Sequence, residues 1–402
     1  FSRDGVHWTH TVREPWLAGG LYEHEWTQRN FITLGGIVEA ENDILIEDLI
    51  ERESCVITAT RAGYVKRLPS DTYQAQRRGG KGITAMGTRD EDNVEDVIIA
   101  HSHDFLLMFS NKGRVYIKKC YEIPESARTA KGTNLVNLLS LDNDESITAI
   151  VPVTEFSDKE NLVLITRLGV VKRINLTAYQ RKRNNGLYAI TLDEGDALLY
   201  VLRSNGNDDI MVATNRGISI RFSEQDVREM GRQARGVRAV TLDEGDYVVG
   251  AGIIPEGNDD NELFVLTITE KGFGKRSVTA EYKRQNRGGR GMKCHGISDK
   301  TGFLAGIKLV KASEEIMLIT DGGIIIRTRV SEIPVYGRSA GGVIVMRLEE
   351  GASVMRFAAV DPDTEAEDRQ DEAVETVENS QTEIALEENN TESNEEPIAG
   401  EE

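Results

Sequence analysis

The stretch Leu162-Val163-Leu164-Ile165-Thr166-Arg167-Leu168-Gly169-Val170-Val171-Lys172-Arg173-Ile174 decides the fold. Two runs rich in β-branched and aliphatic residues flank Arg167-Leu168-Gly169, so a tight turn joins them into a hairpin. Downstream, Tyr188-Ala189-Ile190-Thr191-Leu192 and Ala197-Leu198-Leu199-Tyr200-Val201-Leu202 read as two further strands. The segment between them, Asp193-Glu194-Gly195-Asp196, has the residues a turn requires. A unit of about four strands is too small to bury both faces of its own sheet, so it must stack on others like it.

The same unit recurs six times. A turn glycine stands at Gly63, Gly113, Gly169, Gly217, Gly272 and Gly323, in steps of 50, 56, 48, 55 and 51 residues. A second glycine follows at Gly82, Gly132, Gly186, Gly236, Gly291 and Gly342, 19 residues later except in the third copy, where it is 17. Four residues before each second glycine is a cation: Arg78, Arg128, Lys182, Arg232, Arg287 and Arg338. A period near 50 residues signals a radial array, so the expectation is an all-β disc of six four-stranded antiparallel blades.

Charge follows the same repeat. The second hairpin strands carry Lys66 and Arg67, Lys118 and Lys119, Lys172 and Arg173, Arg221, Lys275 and Arg276, and Arg327 and Arg329. The loops that follow add Lys131, Arg183, Arg235 and Arg290 to the six register cations. Lysine and arginine on an edge strand guard against aggregation. Their recurrence in every copy instead predicts a positive band around a curved rim, which suits sequence-blind contact with a phosphate backbone. Within the first loop, Gln76-Arg77-Arg78-Gly79-Gly80-Lys81-Gly82 packs three cations and three glycines with no apolar residue. Glycine permits close backbone approach, so this segment reads as a phosphate clamp.

These residues carry a family resemblance. Gln76 to Gly82 matches the gyrase A box, and Thr60-Arg61-Ala62-Gly63, Thr166-Arg167-Leu168-Gly169 and Thr214-Asn215-Arg216-Gly217 resemble the hairpins of the DNA gyrase A C-terminal domain family. The resemblance covers roughly residues 37–360. It implies a six-bladed β-pinwheel, propeller-like with an altered strand order, around whose perimeter duplex DNA is wrapped so that the holoenzyme introduces negative supercoils. It also implies as partners the gyrase A N-terminal domains and the gyrase B subunit. The box role carries over only to Gln76 through Gly82; Gln285-Asn286-Arg287-Gly288-Gly289-Arg290-Gly291 is a near copy, and the other loops keep only the cation and final glycine.

Composition agrees once the charge is divided. The chain has 48 Lys and Arg against 67 Asp and Glu, a net −19, which by itself argues against nucleic-acid binding. Residues 361–402 hold 17 of the acids and one cation, Arg369, leaving 47 cations against 50 anions in residues 1–360. That near-neutrality allows a basic rim opposed by acidic faces such as Asp90-Glu91-Asp92, Asp193-Glu194, Asp243-Glu244 and Asp259-Asp260. The acidic tail, poor in aromatics, is expected to be disordered. Residues 1–36 contain all three tryptophans and no repeat, and read as a linker or a segment added ahead of the domain at 37–360. They are not a secretory signal, and no apolar run is long enough to span a membrane.

Catalytic chemistry finds no support. Cys55, Cys120 and Cys294 lack metal-ligand spacing and suit buried reduced thiols. His101-Ser102-His103-Asp104 offers two imidazoles but no complete zinc set. No Walker loop, nucleophile elbow or zincin helix occurs. The expectation is therefore a non-catalytic, monomeric DNA-wrapping domain without cofactor or metal, cytoplasmic in a bacterium, belonging to a type IIA topoisomerase whose tyrosine, ATP and magnesium sites lie on other domains. A topoisomerase IV equivalent is the alternative, disfavoured by the intact box. A protein-interaction propeller of WD or kelch type is a second, disfavoured because residues 37–360 contain no tryptophan.

Overall fold

A computed structural model describes residues 50–360, apart from 61, 70–93, 128–129, 182, 184, 259–261, 323 and 350. The box at Gln76–Gly82, the register cations Arg128 and Lys182, and the segments 1–36 and 361–402 lie outside the described residues. The first repeat supplies β1 (Ser54–Thr60), β2 (Tyr64–Pro69) and β3 (Val94–His101). The second supplies β4 (Phe105–Ser110), β5 (Arg114–Lys119), β6 (Thr133–Asn134) and β7 (Ile147–Val153). The third supplies β8 (Asn161–Thr166), β9 (Val170–Asn175), β10 (Leu187–Tyr188) and β11 (Leu198–Ser204). The fourth adds β12 (Asp209–Thr214), β13 (Ile218–Ser223), β14 (Val237–Arg238) and β15 (Val248–Ile254). The fifth adds β16 (Leu263–Thr269), β17 (Phe273–Val278), β18 (Met292–Lys293) and β19 (Leu304–Lys311). The sixth adds β20 (Glu315–Thr320), β21 (Ile325–Arg329), β22 (Val343–Ile344) and β23 (Val354–Val360).

The strand pairing departs from the sequence reading at one element. Each repeat's hairpin pairs with its own last strand, but its two-residue strand crosses to the preceding sheet: β10 of the third repeat pairs with β5 of the second, and β14 of the fourth with β9 of the third. Tyr188–Leu192 is therefore not a strand of its own blade; only Leu187 and Tyr188 pair, in the blade before. Five sheets are four-stranded in this way, while β21, β20 and β23 form a three-stranded sheet among the described residues. The result is a six-bladed β-propeller with strands exchanged between neighbouring repeats.

Alternation explains the packing. Leu162 and Leu164 point into the apolar cluster shared with the second blade, whereas Val163 and Ile165 point into the cluster shared with the fourth. The first hairpin strand is thus buried on both faces, which is why it reads as an unbroken apolar run rather than an alternating one. Five such clusters fill the five junctions between consecutive blades. Two glycine registers make the exchange possible. Gly113 has φ +76°, and a Cβ there would lie 2.6 Å from the Ile190 carbonyl oxygen of the crossing segment. Gly132 has φ +79°, and its Cβ would lie 2.5 Å from the Val65 carbonyl oxygen of the blade it joins. Only glycine tolerates both the left-handed backbone and that approach.

Candidate nucleic-acid interface

In the five four-stranded sheets the second hairpin strand lies between the first hairpin strand and the strand donated by the next repeat, so it is not an edge. That placement redirects its cations. Lys66, Lys172 and Lys275, three residues after their tip glycines, are fully buried. Lys172 Nζ donates to the carbonyls of Ala189 and Arg232, both at 2.6 Å. Lys66 Nζ donates to Ala130 O at 3.2 Å, and Lys275 Nζ to Ser277 Oγ at 2.7 Å, whose hydroxyl in turn donates to Tyr336 O at 2.8 Å. Desolvation lowers the pKa of Lys172 and of Lys275 to about 8. In the second, fourth and sixth repeats the same position holds Tyr116, Ile220 and Ile326.

The next residue is an arginine that reaches into the following blade. Arg67 donates through Nε to Ile123 O at 3.3 Å and pairs with Glu53 at 2.7 Å and Glu125 at 3.4 Å. Arg173 pairs with the buried Glu224 at 3.5 Å. Arg221 donates to Thr279 O at 3.1 Å and Tyr282 O at 3.4 Å while pairing with Asp209 at 2.7 Å. Arg276 donates to Ile333 O at 2.6 Å and Ser331 O at 3.1 Å, its guanidinium 5.0 Å from the centre of the Phe264 ring. Glu53 and Asp209 belong to the arginine's own repeat, and the partners from the next blade lie in or beside the short 3-10 turn that follows its hairpin: Cys120–Glu122, Glu224–Asp226, Thr279–Glu281 or Val330–Glu332. A guanidinium suits this because its fixed fork of donors satisfies several carbonyls left unpaired at a helix end.

Lys66, Arg67, Lys172, Arg173, Arg221, Lys275 and Arg276 are therefore staples between blades and do not form the positive band expected of them. The second repeat breaks the register. Ile117 occupies the arginine position and packs in the junction cluster, and Lys118 and Lys119 stand one and two residues beyond it. Lys119 is buried, donating to His103 O at 2.9 Å above the Phe105 ring, and Lys118 faces Glu122 at 3.4 Å. In the sixth repeat Arg327 and Arg329 remain exposed and share Glu315.

The loops fare differently. Arg183, Arg235 and Arg290 are exposed, and Lys131, Arg232, Arg287 and Arg338 are half-buried. Lys131 Nζ sits 3.7 Å from the centre of the Tyr64 ring. The register cations have a structural task as well: Arg287 donates to Arg238 O at 2.5 Å and Arg338 to Lys293 O at 2.7 Å. Each thus clasps the carbonyl of the outer strand that the preceding repeat has donated. The side chains of Arg238 and Lys293 are exposed on those outer strands. Both follow the second glycine by two residues, an offset visible in the sequence but not used in reading it. Arg181, Arg228, Lys283 and Arg284 add further cations to the same loops. Arg284 is held by the buried carboxylate of Asp209 at 2.8 Å, which also takes Arg221.

The outer loops and strands of repeats three to five therefore present an interlocked cationic arc. Acidic turns are not wholly opposed to it. Asp193 pairs with Arg235 at 2.5 Å, while the side chains of Asp196 and Asp246 accept from the hairpin-tip amides of Leu168 and Arg216. Residues 192–196 and 242–246, both reading Leu-Asp-Glu-Gly-Asp, are turns, with Gly195 and Gly245 at φ +76° and +75°.

A family described as DNA gyrase C-terminal domain, beta-propeller, matches residues 56–101, 104–154, 160–205, 208–255, 264–311 and 314–361, one segment per blade. The chain belongs to this family. The DNA gyrase A subunit of Clostridium acetobutylicum is 45% identical over 356 residues, covering 89% of this chain and 42% of that protein. Its counterpart in Staphylococcus aureus is 41% identical over 346 residues, covering 86% of this chain and 38% of that one. The chain thus spans about two fifths of the length of these relatives. Among solved structures, the C-terminal domain of DNA topoisomerase IV aligns with a TM-score of 0.66 at 25% identity, over 82% of this chain and 99% of that one. The DNA gyrase A C-terminal domain aligns with a TM-score of 0.63 at 27% identity, over 76% and 99%. The gyrase A family resemblance read from the repeats is correct.

Other groups in the domain have structural surroundings. Cys55, Cys120 and Cys294 are free and buried; Cys55 and Cys120, far apart in sequence, meet in the cluster between the first two blades. Burial pushes the thiols of Cys120 and Cys294 up to about 12. Among the described residues no three His, Cys, Asp or Glu side chains are placed to hold a metal, and no helix is long and apolar enough to cross a membrane.

Proposed function

We propose that this chain binds duplex DNA along its outer perimeter and wraps it, as the non-catalytic DNA-wrapping part of gyrase A. The observation that carries the reading is the cationic arc: Arg183, Arg235, Arg238, Arg290 and Lys293 project from loops and outer strands that recur at equivalent places on successive blades. A phosphate backbone is a periodic line of charge, and a periodic line of exposed cations, with no base-reading helix among the described residues, matches it without regard to sequence. The Gly-rich box at Gln76–Gly82 would extend that arc to the first blade.

In the whole enzyme the chain would act with the gyrase A N-terminal domains and gyrase B, in the bacterial cytoplasm, during ATP-dependent negative supercoiling. ATP and magnesium would be held by those other parts, and this domain would need no cofactor.

The test has two arms. A relaxed plasmid incubated with the domain and a nicking-closing enzyme should retain a linking-number change after deproteinisation. In the holoenzyme, replacing Arg77, Arg78 and Lys81 by Ala should abolish supercoiling while relaxation and decatenation persist. Binding with a salt slope near zero, or an unchanged linking number, would refute wrapping.

A further inference from the structure

Lys172 is fully buried yet lies directly beneath the cationic arc. It belongs to the third repeat, and its Nζ donates at 2.6 Å to the backbone of Arg232 in the loop of the fourth. A second bond of 2.6 Å runs to Ala189 in the third repeat's own crossing segment. An ammonium has three donors and no acceptor, and here it faces two carbonyls, with no carboxylate of the described residues within salt-bridge distance. The loop it holds carries Arg232 and the exposed Arg235. We propose that Lys172 is a positioning residue for DNA binding: it never meets a phosphate, but fixes the fourth repeat's loop so that the cations on it stand in register with those of neighbouring blades.

Two comparisons within the molecule support this. Lys66 reaches Ala130 in the loop of the second repeat, and Lys275 reaches Tyr336 of the sixth through Ser277. The lysine thus recurs in alternate blades and each time holds the loop of the next. Below the third repeat's loop the equivalent side chain is Tyr116, whose ring a Cβ at Gly186 would meet at 2.9 Å. Gly186 of that loop lies against the Tyr116 ring, where the loops of the second, fourth and sixth repeats are held by a buried ammonium. Ordering a loop before DNA arrives removes part of the entropy that binding must otherwise overcome.

The inference rests on the DNA-binding reading, and its test separates the two. Duplex affinity of Lys172→Met and Arg235→Ala is measured across salt concentrations beside the unaltered chain. For Lys172→Met the expected result is about a tenfold loss of affinity at fixed salt with the slope of log K against log salt unchanged. Arg235→Ala should instead make the slope shallower by about 0.9, the signature of one lost phosphate contact. Hydrogen exchange of amides 231–236 in Lys172→Met should accelerate at least tenfold more than that of the strand amides, which reports the loop apart from global stability. If the variant fails to fold, the unaltered chain decides: without DNA, amides 231–236 should exchange more slowly than those of Arg183, Asn185 and Gly186, the last of which lies against Tyr116. Equal exchange of the two loops, unchanged affinity in a folded Lys172→Met, or a slope change of about one unit in it would overturn the positioning role. Absence of salt-dependent binding by the unaltered chain would overturn the DNA-binding reading instead.

Discussion

Lys172 and Arg235 carry the same charge in consecutive repeats, yet the first is buried and the second projects into solvent. What separates them is the neighbour on the outer side. Residues of the second hairpin strand are flanked by a strand donated from the next repeat, whereas Arg235 lies on the loop that delivers that strand and is exposed. Recurrence of a cation around a ring therefore does not by itself mark a binding surface. The same recurrence arises when each blade must be fastened to the next.

The largest expected effect comes from breaking a fastening. Arg276 is buried, donates to two carbonyls of the sixth blade and lies against Phe264. Arg276→Ala leaves those carbonyls without a partner in a closed junction, and should cost about 3 kcal/mol in denaturant unfolding. The corresponding position of the second repeat is already Ile117 in an apolar cluster, so Ile117→Ala should cost only the cavity it leaves, about 2 kcal/mol. A loss below about 0.5 kcal/mol for Arg276→Ala would remove the distinction between staple and rim cation.

A smaller effect follows from the buried lysines through pH. In the folded state Lys172 and Lys275 release their protons near pH 8, whereas in the unfolded chain lysines hold theirs to about pH 10.4. Between those values the unfolded state binds more protons, so raising the pH stabilises the fold. Below pH 8 both states are charged and the burial cost is constant. Above about pH 10 the trend reverses: exposed tyrosines ionise in the unfolded chain, while burial holds Tyr179, Tyr200 and Tyr282 protonated in the native one. Stability should rise by about 1–3 kcal/mol from pH 8 to 10 and then fall. Lys172→Met should remove roughly half of the rise, and a flat profile over that interval would contradict buried, charged lysines at neutral pH.

The same contrast explains which features were legible. The hairpins were legible because Leu162–Ile165 and Val170–Ile174 carry strand-forming residues on either side of a glycine that must take positive φ. Six blades followed from the spacing of that glycine. The exchange of β10 into the preceding sheet was not legible, since Leu187 and Tyr188 make the same local pattern in either sheet and only tertiary pairing chooses. Without the exchange, Lys66, Lys172 and Lys275 read as edge residues. The exposed cations at Arg238 and Lys293 are not legible for the same reason, because their importance comes from lying on the outermost strand.

The smallest effect on the fold, and the most direct test of the arc, concerns those outer cations. Arg290 and Lys293 are exposed in the fifth repeat's loop and outer strand. Substitution by Ala removes no buried contact, so each should change unfolding free energy by less than about 0.5 kcal/mol, as exposed surface sites do. Each should nevertheless make the salt dependence of duplex binding shallower by about 0.9, and Arg290→Ala with Lys293→Ala together by about 1.8, because released counterions add when each side chain meets its own phosphate. Ile344 occupies the position of Lys293 one blade further on, and is exposed and uncharged. Ile344→Lys should therefore steepen the slope by a similar amount if DNA tracks that far around the perimeter. An unchanged slope there, with the expected losses at Arg290 and Lys293, would mark the end of the track between the outer strands β18 and β22.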